Sequence, residues 1–566
     1  MFSKGKYLKF KYIKFAVMSG SGFDFQHVTN QVPVLENYNT FTTHPHLHQA
    51  LQAYGGDAAI ERAIQLGRLM GSHDFQEAGN LANKYTPVLH THDRFGNRLD
   101  TVTYHPAYHQ MMATAIQHQV HSIAWTAPQG GYLAHSVLSY LKQQIDEGSS
   151  CPLTMTFAVV PSLKISPDIA EEWLPLVLSN TYDERHIPYY DKRGVTFGMA
   201  MTEPQGGSDV RANITHAHAV SPGIYRITGR KWFCSAPMSD AFLVLAQAPK
   251  GLSCFLVPRF TPEGNKNQLR FQRLKDKLGN RSNASGEVEF HEAWGRIIGE
   301  EGRGIANIME MVRHTRLDCA VGSAATMQRA LAEAIHHCRH RSAFGRKLAD
   351  QPLMKNVLAD LCLESAAATT LAMRLAQSFD EATTDETALH FSRITTAIGK
   401  FWNTKRAVLA MGEILECLGG NGYVEESILP RLYRDIPVNA IWEGSGNIQA
   451  LDVLRAMHKE PQSMDALMQY FQRAKGQHPI LNQHLQKIQQ LLHQPADYEL
   501  KARIITEKMA LAIQAIELIH TAPALGELFC KARLATEGHL TWGTLEDGKG
   551  LDEVIAGVYT EEVSIP

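Results

Sequence analysis

The texture of this chain changes twice, and that order constrains the fold more than any single motif. Apolar positions recur at helical spacing over 58–70, 111–124 and 132–145. Between about 151 and 295 the pattern gives way to short β-rich runs at 196–201, 225–231, 241–248, 254–257, 269–274 and 286–290, punctuated by Gly, Pro and Asn. Long helical periods then return at 305–338, 354–378, 386–418 and 448–457, with alanine-rich faces at 320–334 and 366–376 that suit close helix packing. The expected architecture is α+β and multidomain. A helical N-terminal domain (22–150) precedes a central antiparallel β domain (151–297), a helical-bundle domain (298–460) and an extra helical segment (461–566). Gly148-Ser149-Ser150 reads as the first break. No G-x-G-x-x-G follows a strand, so a Rossmann nucleotide site finds no support.

Composition narrows the class further. With 44% hydrophobic and 20% charged residues and a net charge of −2, the chain reads as an ordinary globular protein without a field that recruits nucleic acid. The eight cysteines are dispersed with no C-x-x-C, which fits a reducing cytoplasm, and the 27 histidines show no metal-ligand spacing. No apolar run approaches the length of a membrane span. Residues 1–21 stand apart: Lys4, Lys6, Lys9, Lys11 and Lys14 alternate with aromatics and no acid is present. A basic arm, a membrane-surface anchor and sequence upstream of Met18 outside the functional protein are all open readings, and a disordered or dispensable extension is the one taken.

Four stretches carry ligand chemistry, and a fifth carries a base. Met201-Thr202-Glu203-Pro204-Gln205-Gly206-Gly207-Ser208-Asp209 follows a predicted strand, and its glycines and hydroxyls suit a phosphate or a flavin edge. In Lys231-Trp232-Phe233-Cys234-Ser235, Trp232 offers a flat wall for a ring system. Arg341-Ser342-Ala343-Phe344-Gly345, followed by Gln351, offers a bidentate cation and an aromatic, and Leu418-Gly419-Gly420-Asn421-Gly422-Tyr423 a tight turn. Finally, Ile441-Trp442-Glu443-Gly444-Ser445-Gly446-Asn447-Ile448-Gln449 places one carboxylate between an aromatic and a Gly-x-Gly turn, where desolvation raises its pKa toward that of a useful base. Taken singly, each reads as readily or more so as a loop, a core strand or a helix cap.

In this order and spacing the five stretches resemble the acyl-CoA dehydrogenase family of flavoproteins over residues 150–457. The runs 274–285, 430–434, 252–255 and 151–157, with the extra C-terminal segment, are similar to the AidB-like, alkylation-response subgroup of that family. The resemblance implies FAD as cofactor and Glu443 as the base that takes the α-proton of an acyl thioester. It implies cofactor contacts from Met199, Met201, Thr202, Gly207 and Ser208, and from Trp232, Phe233, Cys234 and Ser235. It implies further contacts from Arg341, Phe344 and Gln351 toward a neighbouring subunit, from Gly419 and Gly420, and from Ile441, Trp442, Gly444, Gly446, Asn447 and Gln449. Ser208 and Arg316 are implied on the acyl-CoA substrate. Thr315 occupies the slot where some relatives carry the base.

Two departures stand out: Arg313 where many dehydrogenases carry an acid, and Glu416 where Gln is common. A homotetramer, a cytoplasmic location and binding of duplex DNA are further implications. Residues 461–566 carry 9 basic against 13 acidic residues, so Arg431, Arg434, Arg455 and the Lys-rich N-terminus are better DNA contacts than the tail. The alternatives are a catabolic short- or branched-chain acyl-CoA dehydrogenase with no DNA role, and a DNA-binding flavoprotein with a vestigial site.

Overall fold

The computed structural model describes residues 28–493, 498–535 and 549–560. The basic extension and most of the acidic tail therefore lie outside the described residues. Among the described residues nine α-helices make the N-terminal part: α1 (Pro45–Ala53), α2 (Ile60–Met70), α3 (His73–Lys84), α4 (Pro106–Gln117), α5 (Ile123–Thr126), α6 (Gly131–Gln143), α7 (Ser150–Ala158), α8 (Val160–Lys164) and α9 (Pro167–Val177). A hairpin of β1 (Val88–His92) and β2 (Arg98–Thr103) is inserted among them. The sequence reading missed this hairpin. Its turn is set by Asp93, whose Oδ1 accepts from the Phe95 and Asn97 amides.

The β domain expected from residue 151 begins later, because 150–177 is helical. The 148–150 break is a turn between two packed helices, closed by polar groups that sequence periodicity does not weigh. The buried Lys142 ammonium donates to the Asp146 carbonyl and to the Ser149 and Ser150 hydroxyls, and Asp146 accepts from the Ser149 amide.

Seven strands follow: β3 (Phe197–Ala200), β4 (His216–Ser221), β5 (Ile224–Ser235), β6 (Ala241–Ala248), β7 (Gly251–Pro258), β8 (Leu269–Leu274) and β9 (Ser285–Ile298). The ladder β6–β7–β9–β5–β4 returns to β6, closing a barrel around its own apolar core. The expectation of an antiparallel domain needs a correction at β6: β3 pairs it in parallel, Phe197 opposite Ala241, and so does β4, His216 opposite Gln247. Side-chain alternation along a strand carries no information about its neighbour's direction.

The third part holds three long helices, α10 (Gly304–His340), α11 (Pro352–Glu381) and α12 (Glu386–Glu416), then α13 (Gly420–Tyr423), α14 (Leu429–Asp435) and α15 (Gly446–Lys459). A short hairpin, β10 (Ser342–Ala343) and β11 (Arg346–Lys347), joins α10 to α11. Buried Asn403 of α12 donates to the Ala320 carbonyl of α10 and the Ala368 carbonyl of α11, tying the three together. Nearer the other end Cys338 of α10 lies against the Cys417 carbonyl, so α10 and α12 run parallel. The closing segment adds α16 (Pro461–Arg473), α17 (Pro479–Leu492), α18 (Tyr498–Thr521), α19 (Pro523–Phe529) and α20 (Leu551–Val558). It is no loose appendage. Glu517 of α18 accepts from Tyr54 and Tyr470 and pairs with Arg374, and Trp402 donates to Gln514.

Candidate active site

The 441–449 loop is built from its backbone outward. Glu443 sits at φ +57° and Gly444 at +95°, the left-handed region that costs a non-glycine residue about 1 kcal/mol or more. The surroundings over-determine it. The Lys400 ammonium takes the Trp442 and Gly444 carbonyls, Arg316 Nε takes the Glu443 carbonyl at 3.1 Å, and Gln449 Nε2 takes those of Glu443 and Gly444. The Glu443 side chain also meets α10. There Thr315 donates to its Oε2 at 2.8 Å. Burial raises the Glu443 pKa, while Thr315, Lys400 and Arg316 hold it down in part. Burial likewise brings Lys400 down to about 8.

This geometry carries a pH prediction. Glu443 accepts a proton only when ionised, and Thr315 stabilises the ionised form. Thr315→Val removes a hydrogen bond to charge worth about 1.5 kcal/mol, so the pKa rises by about one unit. The acid limb of the kcat profile is expected to move up by about that much, with activity at high pH retained. A profile that stays put would show that Thr315 does not touch the working base.

The β domain supplies a second set of residues. Glu203 and Lys231 form an ion pair at 2.8 Å with neither side chain exposed. Lys231 also donates to the Met201 and Leu245 carbonyls, and Glu203 accepts from the Ile214 and Thr215 amides. Burial works against the Glu203 carboxylate, yet these donors hold it at about 2. The pair pins the start of the 201–208 loop to β5, and the Trp232 amide donates to the Thr202 carbonyl. Gly207 is required here, since a Cβ would stand 2.4 Å from Thr202 Oγ1.

On β5 the expected roles shift by one residue. The Trp232 ring carries the Lys275 ammonium 3.2 Å from its centroid, and the open ring is Phe233, 49% exposed. The expected flat wall therefore moves from Trp232 to Phe233, because a register shift between Lys231 and Cys234 alters which face each side chain takes. Cys234 is wholly buried in the barrel core, so its side chain reaches no cofactor. Ser235 lies toward the base. Burial pushes the Cys151 thiol up to about 12, with Glu443 close enough to add to the rise and Ser235 and Asn283 hydrogen-bonded to it. Cys151 thus touches the end of β5 and lies within electrostatic reach of Glu443.

Other expected residues turn out to serve the loop. Arg316, expected on substrate, is buried and pairs with Asp452 at 2.7 Å as well as holding the Glu443 carbonyl. Gln449, expected on the cofactor, is fully buried; its Nε2 donates to the loop carbonyls, and its Oε1 has no hydrogen-bond partner. Arg313 turns onto Ser392 and the Phe379 ring, away from the Thr315 contact with Glu443. Trp442 donates to Asn439, while Ile441 and Asn447 are exposed. Asn447 meets Arg503 of α18, and a Cβ at Gly446 would stand 2.5 Å from Lys405 Cε. Two cations therefore flank the positive N-terminus of α15, a setting that suits phosphate oxygens. Sequence reading missed Lys400, Lys405, Arg503 and Asp452, which lie outside the five motifs and act only across helices. With the Phe233 ring and the Thr202 and Ser208 hydroxyls, these groups fit a molecule with a flat ring system and a pyrophosphate, as FAD has.

Arg341, Phe344, Gln351, Gly419 and Gly420 lie elsewhere. Counting along α10 from Thr315 to His340 gives roughly 38 Å, and along α12 from Lys400 to Glu416 about 24 Å. Because α10 and α12 are parallel, the hairpin and the Gly-Gly turn share the far end of the bundle. There Phe344 is 100% exposed at φ +52°, Arg341 holds the Asn30 carbonyl, and Gln351 donates to Ala343. Of the expected DNA contacts, Arg431 is buried beneath α14, 6% exposed, because it faces Asp435 and Asp146 in the core; it cannot meet a duplex. Arg434 pairs with Glu425, and Arg455 is exposed. Among the described residues no His/Cys/Asp/Glu cluster could hold a metal, and no helix is long and apolar enough to cross a membrane.

Comparison with known proteins identifies the family. Residues 30–184 match the adaptive response protein AidB N-terminal domain, 198–293 the acyl-CoA dehydrogenase middle domain and 302–458 the acyl-CoA dehydrogenase C-terminal domain. AidB of Escherichia coli (strain K12) is 43% identical over 514 residues, 90% of this chain and 95% of that protein. Acyl-CoA dehydrogenase family member 11 of Caenorhabditis elegans is 30% identical, over 68% of this chain and 64% of its own. Among solved structures, Bd2924 in its apo form superposes with a TM-score of 0.80 at 27% identity, covering 87% of this chain and 99% of that one. ACDH-11 of Caenorhabditis elegans, solved in complex with C11-CoA, shares the fold with a TM-score of 0.83 at 24% identity, covering 93% and 96%. The chain belongs to the acyl-CoA dehydrogenase family, as an FAD-dependent member of the AidB type.

Proposed function

We propose that this protein dehydrogenates an acyl-CoA thioester between its α and β carbons, with Glu443 as the base. The observation that carries this is the Glu443 loop itself. A carboxylate in a strained, over-determined conformation has burial raising its pKa and a single hydroxyl donor on Oε2. FAD, when bound, supplies the acceptor for the β-hydrogen as hydride. The chain's own part is to take the α-proton at Glu443 and to hold the loop with Lys400, Gln449 and Arg316. Phe233, Thr202, Ser208 and the α15 N-terminus would hold the cofactor. The relative solved with C11-CoA supports a thioester ligand. Anaerobic titration of the FAD-loaded protein with thioesters of graded chain length and branching tests the proposal. Bleaching of the flavin band with at least one is the expected result, and none with any would overturn it.

The separation of the two residue sets supports a site shared between copies of the chain, as a homotetramer would provide. Arg341 and Phe344 of one copy would then serve the FAD of another, which their exposure and their distance from Glu443 favour. A complementation experiment checks this. Arg341→Ala/Phe344→Ala and Glu443→Gln variants are each expected to be inactive, and mixed oligomers to recover a sizeable fraction of turnover, because one of each pair of mixed sites is intact. No recovery on mixing would rule out sharing. Duplex DNA has less support, since among the described residues Arg455 is the one expected contact both exposed and without a carboxylate partner. Salt-dependent duplex binding that weakens on Arg455→Glu would restore that reading.

A further inference from the structure

The 275–285 loop folds back on itself beside the end of β5. The Lys275 amide closes it by donating to the Ser285 carbonyl. Its tip is tied down where the Asn280 amide donates to Asp435 and the Ser282 hydroxyl to Asp146. Half-buried in the loop is Lys277. Its ammonium donates to the Asn283 carbonyl at 2.8 Å and to Ser285 Oγ at 3.2 Å, two uncharged acceptors. Asp435 and Asp146 lie near enough to raise its pKa, yet among the described residues no carboxylate bonds it. Burial brings it down to about 8, so it holds its proton at neutral pH. A desolvated charge without a counter-ion is costly.

The cation also sets a direction. An ammonium only donates, so Ser285 Oγ accepts from Lys277. The Ser285 proton is then best given to Ser235 Oγ, 3.3 Å away on the paired position of β5. Ser235 keeps its own proton for a group beyond. Cys234 points into the barrel core, so by strand alternation Ser235 shares the outer face of β5 with the open Phe233 ring. Cys151, hydrogen-bonded to Ser235 and Asn283, lies within electrostatic reach of both Lys277 and Glu443, which joins the end of this chain of groups to the site.

We propose that Lys277 is a positioning residue for the dehydrogenation: through Ser285 it makes Ser235 a directed hydrogen-bond donor to FAD and so favours the reduced cofactor over the oxidised. The proposal rests on the FAD site assigned above beside Phe233. No proton moves along Lys277, Ser285 and Ser235; each is only oriented. A donor polarised by a charge helps most where negative charge builds up, as it does on a hydride acceptor.

The midpoint potential of FAD in the full-length protein, measured by dye-coupled reduction with no thioester present, tests it. Lys277→Met is expected to shift the equilibrium toward oxidised FAD by about three- to tenfold, about 15–30 mV more negative for a two-electron couple. Ser285→Ala leaves the cation but cuts its path to Ser235, and the same shift is expected. The double variant should shift no further than either single one. Lys277→Arg keeps a charged donor and should retain most of the original potential. An unchanged potential in Lys277→Met or in Ser285→Ala, additive shifts in the double variant, or a shift in Lys277→Arg as large as in Lys277→Met would each overturn the proposal. Should Lys277→Met lose its FAD, the Ser285→Ala potential decides alone. Failure of the thioester reading would leave these potentials untouched, because no thioester takes part, and flavin bleaching reports that reading separately.

Discussion

Glu443→Gln is expected to lower thioester turnover by about 10²- to 10⁴-fold, the span associated with loss of a positioned base. FAD should stay bound, because the side chain contributes one contact, to Thr315, while Lys400, Gln449 and Arg316 hold the loop's backbone carbonyls without it. The amide keeps the shape and the hydrogen bond but accepts no α-proton. The measurement is single-turnover flavin bleaching alongside the flavin-to-protein ratio. A variant that bleaches at the original rate would move the base elsewhere. One that loses its flavin would show that the carboxylate holds the cofactor. Glu443→Asp separates geometry from chemistry: it retains the base but shortens the reach, so partial activity is expected.

The largest effect on stability is expected at the other end of the site, in Lys231→Met. Glu203 and Lys231 are both fully buried and 2.8 Å apart. Removing the cation leaves a carboxylate with only the Ile214 and Thr215 amides and the Gln205 side chain as donors. Breaking one half of such a pair costs about 3–5 kcal/mol. The 201–208 loop should loosen as the Met201 contact goes, so FAD occupancy falls with the melting midpoint. The double variant Glu203→Gln/Lys231→Met removes the stranded charge and should regain most of the loss. If the single and double variants melt together, the pair is not what anchors the loop. The pH course follows the same chemistry. The Glu203 carboxylate lies at about 2 in the folded chain and near 4.5 when unfolded. Its stabilisation is therefore complete above about 4.5 and is lost as pH falls toward 2.

Much of this was legible in the residues. Helix-period spacing located α10, α11, α12 and α15 to within a few residues, because long amphipathic helices repeat their burial pattern many times over. Six of the seven strands of the β domain were also legible, and β4, His216–Ser221, escaped because its short alternating run is mostly exposed. The 150–177 helices escaped for a different reason: α7 is apolar on all sides and nearly all buried, so it shows no stripe to read. At the site, the carboxylate and its glycines were visible as a motif, since backbone conformation restricts residue type locally. The roles of Trp232 and Phe233 were not, because a single bulge decides which ring faces out.

The sequence by itself determined where the long helices and most of the strands lie, that Glu443 stands on a glycine-framed loop, and which family's motifs recur in order. Those properties depend on neighbours a few residues apart, and the chain writes them down directly. Only the tertiary structure decided that Lys400, Arg316 and Gln449 grip the loop, that Arg431 is buried, and that the Arg341–Gly345 hairpin and the Gly419–Gly420 turn sit at the end of the bundle opposite Glu443. Such contacts join residues tens to hundreds of positions apart, and their energies come from burial and pairing in three dimensions, for which no local pattern in the chain is a record.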